Sequence, residues 1–221
     1  MTQPVTRDAR SVLQSRLGLA VLGLLSVGLV TSANRSTYFL VPHWTWLPDS
    51  CLPSFLACVA SYLAIRPARP FARPLPDTDW PRVRRITLLW LVLWLAGSAI
   101  GGLAAGHWIR YRLSYGPAQM VAFLLVAPAQ EEFLFRGAIY ELAERSQLGV
   151  GPWPPIVVST LFFSLHHLQL HGYHLTSSAL LQLGFALPMG IVFGLLRAET
   201  RSLWPGLGAH VLTNLPGVMG R

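Results

Sequence analysis

About seven long apolar runs, separated by arginines, set the terms for what this chain can fold into. A helix needs about 20 predominantly apolar residues to cross a bilayer. Runs of that order stand at residues 17–33, 44–65, 86–105, 117–145, 153–171, 175–196 and 203–219. In lipid each segment has to satisfy its own backbone polar groups, so such runs become helices rather than open strands. The expected fold class is all-α: a polytopic transmembrane helix bundle of about seven spans. Composition agrees. Only 12% of the 221 residues are charged and 52% are hydrophobic, against about 25% charged in an ordinary soluble domain. That excludes a disordered tail and most soluble enzymes.

The net charge of +8 rests on 17 basic residues, every one an arginine. A strongly basic chain invites a nucleic-acid reading. These arginines sit between apolar runs, however, as membrane-flanking residues do. The expected partner is the lipid bilayer and not nucleic acid. Arg7, Arg10 and Arg16 precede the first run. Residues 66–85 hold six Arg, five Pro and two Asp, which reads as an exposed loop. Arg197 and Arg201 fall in an expected loop at 197–202. With seven spans these three groups share one side, which the positive-inside rule makes cytoplasmic; Arg110 and Arg112 lie opposite. The chain reads as integral to a bacterial cytoplasmic membrane. It divides into N-terminal membrane helices over 1–116, with the 66–85 loop, and a second helical unit over 117–221.

Ionisable residues inside a membrane span are costly and mark function by default. Glu131 and Glu132 stand side by side within an apolar run, two of only nine acidic residues in the chain. On an α-helix, i and i+4 share a face and adjacent residues diverge by ~100°. Arg136 is therefore expected to pair with Glu132, while Glu131 points elsewhere with its carboxylate available for chemistry. A helix end at the interface, with both carboxylates solvated, is the alternative.

Two further polar clusters follow on separate runs. Phe163 and His167 are an i,i+4 pair in Phe162-Phe163-Ser164-Leu165-His166-His167, with His171 and His174 beyond. His167 and His171 share that spacing too, so a metal pair is a competing reading. His210 and Asn214 form another i,i+4 pair, after the small residues of Trp204-Pro-Gly-Leu-Gly-Ala209 that let helices approach closely. Taken alone, that pair could be an interhelical hydrogen bond. Three clusters on three spans point to one polar site shared between helices.

The ordered set Glu131-Glu132-x-x-x-Arg136, Phe163-x-x-x-His167 and His210-x-x-x-Asn214, with Phe135-Arg136-Gly137, resembles the CAAX-protease and bacteriocin-processing family, also called the abortive-infection family. These are intramembrane endopeptidases, and they include the type II CAAX prenyl endopeptidase of eukaryotes. The resemblance covers residues 117–219. Phe162-x-x-x-His166 also fits the second motif; His167 is preferred because Leu168 follows it. The resemblance implies a catalytic helix bundle over 117–221, with the active site between helices of the C-terminal half. Glu131 and His167 would hold and activate a water, and His210 and Asn214 would stabilise the oxyanion. Glu132, Arg136 and Phe163 would support them. The glutamate-type mechanism is preferred and needs no cofactor. A zinc-dependent version, with Glu131, His167 and His210 as ligands, is the alternative. The implied partner is a membrane-protein or lipidated-peptide substrate.

Two other classes compete. A non-catalytic relative acting as a binding or immunity protein is disfavoured because every matched catalytic residue is present. A proton-coupled transporter would show repeat symmetry or paired broken helices, and neither is visible. One geometric tension stands. Glu131 counts to ~21 Å from the outer end of its run and His167 to ~21 Å from the inner end of its own, yet a shared site needs one depth.

Overall fold

The computed structural model describes residues 13–18, 20–21, 77–104, 120–171 and 173–219. The expected spans at 17–33 (apart from residues 17–18 and 20–21) and 44–65 lie outside the described residues. So do residues 66–76 and the arginines at 7, 10, 110 and 112. Among the described residues there is no strand. Five long helical elements carry the fold. Helix α1 is Trp80–Ala104, and α2 is the continuous helical run 120–145. Helix α3, Trp153–His166, is extended by a 3-10 turn at His167–His171. Helix α4 is Ser177–Thr200 and α5 is Trp204–Met219. All five coincide with expected apolar runs. Two stretches, Trp80–Ile100 and Ser177–Thr200, are long and apolar enough to cross a membrane, with mean hydropathies of 1.5 and 2.0.

Helix α1 starts earlier than its apolar run. Residues 80–85 were expected in the arginine- and proline-rich loop, and they form the first turns of the helix instead. The reason is local. Asp79 Oδ1 accepts from the Arg82 N–H at 3.0 Å, a cap of a kind worth ~1 kcal/mol. Pro81 falls in the first turn, where no N–H is needed. Val83, Ile86 and Trp90 then make a buried i, i+3, i+7 stripe, while the arginines at 84 and 85 stay exposed. Loop composition is overridden by one cap and one apolar face.

Helix α4 is the centre of the bundle and packs on α1, α3 and α5. Within lipid there is little hydrophobic drive between helices, so close backbone approach and hydrogen bonds hold them together. Gly190 and Gly194 supply that approach: an added Cβ would stand 2.8 Å from Thr160 Cγ2 and 2.9 Å from Ile156 Cγ2 of α3. Gly97 of α1 lies equally tight against the Phe185 ring of α4. Outer faces stay apolar and exposed, as in Leu88, Val92 and Leu95 of α1 and Leu180 and Leu181 of α4.

Among the described residues, Arg16, Arg82 and Arg201 each tie one segment to another. Arg16 Nε donates to the Ser146 carbonyl at 3.1 Å. Arg82 pairs with Glu199 at 3.0 Å, and Arg201 with Glu144 at 2.6 Å. Arg197 departs from expectation: it sits inside α4 and is buried, not in a loop. What keeps it there emerges from the geometry of α2.

Candidate active site

Helix α2 is not uniform. Two π-helical stretches, Ala122–Val126 and Glu132–Ile139, flank a short α segment, Ala127–Glu131. A π-turn takes more residues than an α-turn, so neighbouring side chains diverge by less than ~100°. Adjacent Glu131 and Glu132 therefore both reach one partner, His210 on α5. Glu132 Oε1 accepts from His210 Nδ1 at 3.1 Å, and Glu131 Oε2 lies 3.5 Å from His210 Nε2. The expected divergence of the two carboxylates is thus only partial. The expected pairing of Glu132 with Arg136 is present, with 3.3 Å between Oε1 and Nη1.

Each π stretch leaves a backbone carbonyl outside the helical ladder, and another helix satisfies it. In π register the N–H of residue 128 would bond to Phe123 O, but residue 128 is a proline. Asn214 Nδ2 of α5 donates to that carbonyl instead, at 3.3 Å. Further on, the Tyr140 N–H bonds to the carbonyls of Phe135 and Gly137 and straddles that of Arg136. Arg197 Nε of α4 donates to Arg136 O at 3.2 Å. This explains the buried arginine: it closes a gap in the ladder and lies 3.7 Å from Glu141 Oε2. Such π-bulges are common at functional sites.

Arg136 is fully buried. Its guanidinium lies 4.1 Å from the Phe163 ring centroid and 5.3 Å from that of Phe193. Nη2 donates to Gly190 O at 3.3 Å. Two aromatic faces, one carboxylate and one carbonyl replace the water it has given up. Phe163 is the hub of the cluster. His167 stands edge-on to it at 4.7 Å, and His210 at 5.8 Å. The rings of His210 and Phe193 stack, with centroids 5.0 Å apart and 25° between planes.

His167 Nδ1 donates to the Phe163 carbonyl at 2.8 Å, which orients the ring and leaves Nε2 as its second polar atom. His166 turns to Phe135, with ring centroids 5.3 Å apart. Of the two registers, His167 is the one whose ring shares Phe163 with His210 and Arg136. The depth tension eases as well. Glu131 lies 14 residues before Arg145, and His167 lies 14 residues after Trp153, so both are counted from the same end of the bundle.

Some buried polar atoms of the cluster have no hydrogen-bond partner among the described residues: Glu131 Oε2, Glu132 Oε2, and Arg136 Nε and Nη1. Among the described residues, no three His, Cys, Asp or Glu side chains are grouped as ligands for one metal ion.

Sequence reading missed Phe193, Gly190 and Arg197. The spacing Ala186-x-x-x-Gly190-x-x-x-Gly194 was a usable signal for the close α3–α4 contact. Phe193 and Arg197 gave none, because an aromatic or an arginine near a span end is ordinary. The small residues before His210 did carry information. An added Cβ on Gly206 would stand 3.1 Å from Glu132 Oε2.

Acids, imidazole and arginine are thus buried together between the helices. Residues 113–216 match the family model described as type II CAAX prenyl endopeptidase Rce1-like. That stretch contains every motif residue above. No curated protein and no solved structure matches the chain.

Proposed function

We propose that the protein is an intramembrane endopeptidase of the glutamate type, which hydrolyses a peptide bond in a membrane-anchored or lipidated substrate. The observation that supports it best is the convergence on His210 of two adjacent carboxylates, with His167 on the same aromatic hub. In this reading Glu131 and His167 hold a water. Glu131 takes one proton as the hydroxyl adds to the scissile carbonyl. His210 and the second amide N–H of Asn214 stabilise the resulting oxyanion, each donor typically contributing a few kcal/mol. Collapse breaks the C–N bond, and Glu131 returns its proton to the leaving amine. Glu132 holds His210 through Nδ1, so that Nε2 faces Glu131. Arg136 holds Glu132. Seven spans in a bacterial cytoplasmic membrane complete the proposal.

The test compares wild type with Glu131→Ala in detergent. Each is offered prenylated CAAX peptides and single-span anchor peptides, with and without a chelator, and products are read by gel and mass spectrometry. General acid–base loss of this kind costs about 10²–10⁴-fold in rate. Cleavage that vanishes in Glu131→Ala and ignores the chelator supports the proposal. Retained cleavage in Glu131→Ala sinks it. Loss on chelation with rescue by zinc replaces it with the metal-dependent form.

A further inference from the structure

His171 is left over from the motif analysis, and its surroundings give it a use. It closes the 3-10 turn that begins at His167. Turns of this type have poor hydrogen-bond geometry and rarely persist without help. Here the chain reverses directly after it. Leu168 O accepts from the Tyr173 N–H at 2.9 Å, and His171 O from the His174 N–H at 3.1 Å. Tyr173 is in the left-handed region, with φ of +63°. A backbone so shaped does not by itself keep His167 in one place.

The side chain of His171 supplies what the turn lacks. Its Nε2–H donates to Gln182 Oε1 at 2.8 Å. Its Nδ1 accepts from Ser178 Oγ at 3.4 Å. Ser178 Oγ in turn accepts from the Thr176 hydroxyl at 2.9 Å, and Thr176 Oγ1 accepts from the Ala179 N–H at 3.2 Å, capping α4. A single neutral tautomer of His171 satisfies every donor and acceptor in this chain. Both ring nitrogens are engaged by α4. Gln182 is otherwise an unaccountable polar residue in an apolar helix, where such groups exist to bond across helices.

We propose that His171 and Gln182 are a positioning pair, which locks the 3-10 turn to α4 and so fixes His167 against Phe163. The proposal rests on the reading of His167 as a water-holding residue. Neither His171 nor Gln182 touches substrate in it.

The test uses the full chain in detergent, with Gln182→Ala, Gln182→Glu and His167→Ala. Hydrogen–deuterium exchange over residues 165–173 reads the tether directly. Loss of one hydrogen bond of this kind should speed exchange there about tenfold, leave α1 and α5 unchanged, and be reversed in Gln182→Glu, which keeps an acceptor. Turnover of a prenylated CAAX peptide should fall about tenfold in kcat at unchanged KM, with recovery in Gln182→Glu. Wild-type exchange in Gln182→Ala overturns the proposal, and so does acceleration spread evenly over all helices, which would mark a merely structural residue. Faster exchange at 165–173 with full kcat overturns the positioning role. If His167→Ala cleaves like wild type, the reading of the active site falls, while the exchange data still decide whether the tether exists.

Discussion

Two clusters of acidic and basic side chains lie along the same helix bundle, and they are built differently. At the arginine-rich end, Glu141 receives two bonds from Arg145, at 3.0 and 2.9 Å. Glu144 is closed by Arg201 and Glu199 by Arg82. These carboxylates are partly exposed, and none has a buried oxygen without a partner. Around His210 the balance is reversed. Glu132 and Arg136 are almost completely buried, Glu132 Oε2 has no hydrogen bond, and Glu131 Oε2 has only its 3.5 Å approach to His210 Nε2. A closed ion pair spends its charge on holding helices together. An open carboxylate beside an imidazole keeps the capacity to take up a proton, and it has to be held in place by others. The first cluster is a clasp, and the second has the open acid that the proposed reaction needs.

Three substitutions bear on that contrast. The largest effect is expected at Arg136. Arg136→Leu leaves Glu132 buried without its cation, and breaking such a pair costs about 3–5 kcal/mol. Thermal unfolding in detergent should show a large drop, and the double variant Glu132→Leu, Arg136→Leu should recover part of it. A small drop in the single variant would mean that His210 alone satisfies Glu132. A smaller effect is expected at Gly190. Gly190→Ala drives a methyl group against Thr160 and Phe163, and overpacking of this kind costs about 1–3 kcal/mol. Because Phe163 is the shared ring, cleavage should fall along with the melting temperature; an unchanged melting curve would show that α3 and α4 can part freely. The smallest effect belongs to the clasp. Arg201→Ala removes a pair whose side chains are 49% and 31% exposed, and exposed pairs contribute about 0–1 kcal/mol. Stability should barely move and activity should stay at the wild-type level. Loss of activity there would erase the distinction between the two clusters.

Legibility from the sequence followed the range of the interaction. The pairing of Glu132 with Arg136 was readable because both lie on one helix, four residues apart. A shared site was expected from three costly clusters on three spans; the helices bring Glu131 and Glu132 to His210 and set His167 and His210 against Phe163. The start of α1 was misjudged because three arginines and one proline at 80–85 outweighed one capping aspartate in a reading by composition. Arg197 was misplaced for a similar reason. Its partner is a carbonyl released by a π-turn 61 residues away, and no pattern of side chains announces a skipped backbone acceptor.

Apolar length and the cost of unsatisfied backbone in lipid determined that the described segments are helical, and the cost of burying charge singled out the candidate site residues. Those are properties of a segment and of a residue type, so they can be read without coordinates. The tertiary structure alone decided that two adjacent carboxylates meet one imidazole, that Asn214 and Arg197 each close a break in α2, and that His171 turns away from His167 toward Gln182. Each depends on the width of a helical turn and on which helix stands beside it, and those are settled only when the helices pack.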